Sequence, residues 1–141
     1  MTEKGITFIE LILVLIIVGI ISAIVIPKLN ITLSTSRSSV EGAAHMIASD
    51  IRYAQEFAMA NRVSKTVTFT AGSSVYTFTP SDNIDPSGQL PSGVKISNNF
   101  TVTFNSLGEP ITGGGGSVTV SDGINTKTIT IVDYTGKVNI S

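Results

Sequence analysis

Residues Ile6 to Ile26 form a 21-residue apolar run carrying a single charge, Glu10, and this run constrains the chain more than any other stretch. As a helix rising about 1.5 Å per residue it reaches roughly 31 Å, close to the thickness of a bilayer's hydrocarbon layer. It can span a membrane. An ionised side chain near the middle of such a helix costs roughly 2.5–3.5 kcal/mol on insertion scales, and less near an end. Glu10 therefore needs a partner or a task that compensates.

A secretory signal would have a shorter apolar core and a small-x-small cleavage site at its far end. This run instead ends Ile24-Val25-Ile26-Pro27. An ordinary transmembrane anchor fits the hydropathy alone equally well. Flanking charge gives only a weak orientation, with Lys4 and the amino terminus on one side and Lys28 and Arg37 on the other. The stretch Lys4-Gly5-Ile6-Thr7-Phe8-Ile9-Glu10 goes further, because it resembles the class III signal of type IV pilins and pseudopilins. That resemblance implies cleavage by a prepilin peptidase between Gly5 and Ile6, N-methylation at Ile6, a cytoplasmic amino terminus, and Glu10 as the fifth residue after the cut. The chain departs from the family pattern in offering Ile6 where Phe is usual.

Of the 141 residues, 114 follow Pro27, enough for one modest core. The net charge is −1, and the residues beyond Pro27 carry eight basic and eight acidic side chains. Such balance provides no general field for collecting nucleic acid or anionic lipid. Cysteine is absent, which removes disulfides and thiolate metal sites and leaves the redox compartment open.

Pro27 is expected to kink or loosen the helix, since it removes a backbone donor and crowds the preceding turn. Beyond it, Val40, Ala43, Ala44, Ile47, Ile51, Ala54 and Ala58 recur in steps of three and four, predicting an amphipathic helix that stops near Asn61. Arg37, Glu41, Asp50, Arg52, Glu56 and Arg62 are assigned to its polar face. After Arg62 the pattern alternates. Lys65–Ala71 and Val75–Thr79 read as a hairpin, followed by a loop from Pro80 to Gly93 and by strands at Val94–Ser97, Phe100–Asn105, Ser117–Ser121, Lys127–Asp133 and Lys137–Ile140.

Two stretches of this half, Val102-Thr103-Phe104-Asn105-Ser106-Leu107-Gly108 and Ile129-Thr130-Ile131-Val132-Asp133-Tyr134-Thr135-Gly136-Lys137-Val138, resemble the strand-turn-strand signatures of H-type minor pseudopilins, the GspH/FimT family. The helix segment Ile51–Arg62, running straight into a strand, is similar to the same family. The expected fold is therefore α+β and pilin-like, a long helix packed on an antiparallel sheet of about seven short strands. The expected divisions are a leader at 1–5, the transmembrane half of the helix at 6–27, its amphipathic half at 28–62, and a β domain at 63–141.

The sequence offers little for catalysis. One histidine, His45, and no cysteine cannot assemble a familiar triad or a zinc site, so no catalytic residue, metal or cofactor is assigned. Gly113-Gly114-Gly115-Gly116 lacks the Gly-Lys-Ser/Thr continuation of a phosphate loop and reads as a flexible hairpin tip. Asp82, Asn83 and Asp85 offer oxygen ligands for calcium without EF-hand spacing; turn chemistry accounts for the same residues. Lys127 and Lys137 are the only cations near the carboxy terminus, a thin footprint for DNA, and nucleic acid is not an expected partner. The resemblance implies a structural minor subunit of a type II secretion pseudopilus or a type IV pilus. Its implied partners are other pilins or pseudopilins, the prepilin peptidase, the inner membrane and its assembly platform. DNA-binding FimT-like subunits, major pilins and a plain anchored β domain are the alternatives.

Overall fold

The computed structural model describes residues 5–141, with the side chains of residues 24–38 outside that description. One helix, α1 (Phe8–Asn61, 54 residues), precedes eight strands. The chain divides into two compact units, Met1–Thr35 and Ser36–Ser141, and α1 contributes to both.

In the amino-terminal unit, α1 opens on a side-chain cap. Thr7 lies just outside the helix, and its Oγ1 accepts the Glu10 N–H at 3.3 Å while its carbonyl accepts the Leu11 N–H at 3.0 Å. Thr-x-x-Glu is the sequence of a capping box, of which the threonine half is formed here. The helix runs on through Pro27, so the proline does not end it, and the Pro27 side chain lies outside the described ones.

The carboxy-terminal unit contains the core. Its strands are β1 (Lys65–Phe69), β2 (Thr77–Thr79), β3 (Lys95–Ile96), β4 (Phe100–Phe104), β5 (Pro110–Thr112), β6 (Ser117–Ser121), β7 (Thr126–Ile131) and β8 (Val138–Ile140). They form two four-stranded sheets in the orders β2-β1-β4-β5 and β3-β6-β7-β8, with every pairing antiparallel. The four edge strands are two or three residues long, whereas the four central ones have five or six. Val67, Phe69, Phe78, Val102 and Phe104 of the first sheet join Ile96, Val118, Val120, Ile129 and Ile131 of the second in one buried cluster with the helix. Alanines 43, 44, 48, 54 and 58 are fully buried. Their small side chains bring the helix backbone close to the strands.

The α+β fold matches the sequence expectation, with eight strands in two sheets in place of about seven in one. The additional strand is β5, which begins with a proline and sits at a sheet edge, the position where a missing N–H is tolerated. The glycine run 113–116 is not a hairpin tip. It connects the two sheets, with Gly115 N–H donating to Ile131 O (2.8 Å) and Ile131 N–H donating to Gly116 O (3.0 Å).

The helix ends as the sequence suggests, at Asn61. Arg62 turns into the left-handed region (φ 54) and Val63 N–H donates to Ala58 O at 3.2 Å, the six-to-one bond of a Schellman cap with arginine in the usual glycine position.

Candidate functional site

The first candidate surface is the start of α1. Gly5 and Ile6 are exposed and precede the helix, and residues 1–4, the rest of the expected leader, lie outside the described residues. Every described large apolar side chain from Ile6 to Ile21 is exposed, ranging from Ile12 at 40 % to Ile9 at 79 %. A helix apolar on all sides is stable only when something apolar surrounds it. Glu10 is exposed in the first turn, where the helix dipole favours a carboxylate, and its carboxylate has no partner among the described residues. Among the described residues no helix is long and apolar enough to cross a membrane. The expected span continues over residues 24–26, whose side chains fall outside the description.

In the carboxy-terminal unit two charged side chains, Asp50 and Lys65, turn inward and find partners. Lys65 is fully buried, its ammonium 2.7 Å from Asp85 Oδ1, donating to Pro80 O at 2.6 Å and lying 4.1 Å from the Phe57 ring centre. Tyr53 donates to the same Oδ1 at 2.8 Å, and Asp82 N–H donates to Oδ2 at 2.7 Å. Burial works against the charged Asp85, but these hydrogen bonds and the ammonium outweigh it and hold the carboxyl below its usual range. Both oxygens of Asp85 are thus committed, and Asp82 Oδ1 accepts Ile84 N–H in a turn. The loop that offered calcium ligands is organised around a lysine instead, and no cluster of metal-ligating side chains occurs among the described residues.

Asp50, assigned from sequence to the polar face, is buried and accepts a hydrogen bond from Tyr76. Burial pushes its carboxyl above the usual range, and the Tyr76 hydrogen bond offsets this only in part. The sequence contained the signal, since position 50 lies three after Ile47 and four before Ala54. Lys65 likewise shares the parity of Val67 and Phe69, the inward face of β1.

The remaining assignments separate. His45 is exposed beside Glu41, 3.6 Å away, on one helix face. Lys127 sits 3.2 Å from Glu41, while Lys137 is exposed beyond the other end of β7. Glu41 and Gln55, which mark those two ends on α1, are fourteen residues or about 21 Å apart. The two lysines make no common patch. Gln55 is a residue whose role sequence alone did not disclose: its amide donates to Gly108 O (2.8 Å) and Thr135 O (3.0 Å), tying together the turn after β4 and the turn after β7. Gly136 is required there because a Cβ would lie 2.8 Å from that amide nitrogen on a backbone with φ 69.

Among solved structures, the chain is similar to the type IV minor pilin FimU of Pseudomonas aeruginosa (strain PAO1). The TM-score is 0.51 at 13 % identity, over 76 % of this chain and 90 % of that one. The fold is that of a type IV pilin. No protein-family model and no curated protein sequence matches the chain. Two kinds of surface occur on it here: an exposed apolar helix whose one carboxylate has no partner among the described residues, and a carboxy-terminal unit with its own buried core.

Proposed function

We propose that the chain is a minor subunit of a type IV pilus or of a type II secretion pseudopilus, and not an enzyme. A prepilin peptidase cuts between Gly5 and Ile6, the new amino terminus is methylated, and residues 6–26 hold the subunit in the inner membrane until assembly. The observation that carries this reading is the ring of exposed apolar side chains from Ile6 to Ile21 on a pilin-like fold. Lipid covers such a surface in the membrane, and the helices of other pilins cover it in a filament.

Glu10 then has a defined task. Cleavage creates a positive amine on Ile6, and the carboxylate of a neighbouring subunit pairs with it in a medium of low dielectric. Apolar packing supplies most of the stability, while the pair sets the register, because a subunit out of line leaves a charge unmatched where water is scarce.

Incubation with a prepilin peptidase followed by amino-terminal sequencing tests the processing, with Ile6 expected as the first residue. Persistence of Met1 would leave an anchored β domain that never polymerises. Glu10→Ala is expected to insert in membranes normally and to be lost from sheared filaments, and normal incorporation would contradict the pairing. Secretion and pilus roles separate in cells, where deletion abolishes either export of folded substrates or piliation.

A further inference from the structure

The Gly5–Ile6 bond lies just outside α1, and a single side chain sets that boundary. Gly5, Ile6 and Thr7 are not helical, and the helix starts at Phe8. Among the described residues its ladder begins with Leu11 N–H donating to Thr7 O. The donor one step earlier is Glu10 N–H. In a longer helix it would bond Ile6 O, four residues back, but here Thr7 Oγ1 takes it instead. Ile6 is 73 % exposed, and a Cβ built on Gly5 would meet nothing within 4 Å, so the bond between them is open to approach.

A different start to the helix would have a chemical consequence. Without a side-chain cap, the first N–H groups of a helix in apolar surroundings lack acceptors, and one more turn on the amino-terminal side satisfies them. That turn would bond Ile9 N–H to Gly5 O and Glu10 N–H to Ile6 O, since each donor reaches four residues back. The Gly5 carbonyl is the one that hydrolysis attacks. Drawn into the ladder, it points along the helix axis and is already hydrogen-bonded, so an enzyme has to displace that bond before its own donor reaches the oxygen that becomes negative.

We propose that Thr7 is a positioning residue for processing: by capping α1 it holds the Gly5–Ile6 bond out of the helix, in a form that a peptidase can cleave. This rests on the filament reading above, which supplies the peptidase. Water adds to the Gly5 carbonyl carbon, the bond to the Ile6 nitrogen breaks, and that nitrogen takes a proton and becomes the new amine. The Thr7 hydroxyl acts on none of these atoms. Its part is to keep the cleavable conformation populated, so loss of the cap raises the KM of processing as the competent fraction falls and leaves kcat nearly unchanged.

The test incubates the full chain in detergent micelles with a prepilin peptidase and follows loss of Met1–Gly5 by mass. Thr7→Ser and Thr7→Asn keep a capping oxygen and are expected within about twofold of the parent in kcat/KM. Thr7→Val keeps the shape and loses the oxygen, and is expected about fivefold lower, through KM, with Thr7→Ala beside it. Amide exchange in the uncleaved chain reads the helix start independently: the Phe8 and Ile9 amides are expected to exchange more slowly in Thr7→Val than in the parent, because they gain acceptors. Thr7→Val processed at the parent rate, or showing the parent's exchange, would overturn the proposal and leave the filament reading standing. Thr7→Ser and Thr7→Asn as slow as Thr7→Val would overturn it in favour of direct recognition of the threonine by the peptidase. A parent chain that the peptidase leaves whole would remove the filament reading and this inference with it.

Discussion

Residues 8–23 and 39–61 belong to one helix, yet their side chains meet opposite surroundings. The first length is apolar on every side and exposed on every side. The second buries one stripe, Val40 to Ala58, against two sheets and leaves the rest to solvent. Charge follows the same division. Glu10 on the first length has no partner among the described residues, whereas Asp50 on the second is met by Tyr76, and Asp85 by Lys65 and Tyr53. The second length is completed by its own chain. The first has to be completed by other molecules.

Removing a partner inside the completed region should have the largest effect. Lys65→Ala leaves the half-buried Asp85 without its cation and empties a fully buried position, and the loss of unfolding free energy is expected at about 3 kcal/mol, read by denaturant titration of the full chain in detergent. A loss below about 1 kcal/mol would mean water replaces the ammonium at little cost, blurring the contrast with Glu10. Ile47→Ala, at a fully buried position, is expected to cost about 2–5 kcal/mol in the same titration.

The two matched carboxylates give a smaller effect with opposite signs. Asp85 is held below its unfolded-state pKa, so its contribution to stability is present above the ordinary carboxylate range and is lost as pH falls through the depressed folded value. Asp50 is held above it, so its contribution is full at low pH and is lost as pH rises through the elevated value. Asp50→Asn keeps an acceptor for Tyr76 and removes the buried charge. Its unfolding midpoint should exceed that of the parent at neutral pH, and the gap should shrink on acidification; a gap that widens in acid would reverse the assignment. At the bottom of the scale, Ile16→Ala should leave unfolding of the carboxy-terminal unit within about 0.5 kcal/mol. A larger loss would show that the first length is not waiting on other molecules.

How much of this was visible in the sequence depends on how local the cause is. The stripe from Val40 to Ala58 and the parity of β1, β4, β6 and β7 are local, and they were legible. Asp50 fell in the stripe by spacing and was misplaced because a carboxylate suggests solvent; its partner Tyr76 lies 26 residues away. Lys65 is similar, since the aromatic rings and carboxylate that make its burial tolerable come from α1, β2 and the following loop. The proline-led β5 has no alternation to detect. Of the candidate site, the carboxylate and its apolar context were plain, while the joining of two turns through Gln55 depends on contacts across 53 and 80 residues.

The shortness of the edge strands bears on which surfaces of this chain are open to unwanted pairing. An unpaired sheet edge is a template on which any extended chain can add. With two or three residues at each of the four edges, and Pro110 opening one of them, these sheets offer little room for such growth. Polymerisation through strands would be promiscuous and hard to reverse. Blunted edges thus leave the outward-facing helix, and not the sheets, as the surface open to other chains.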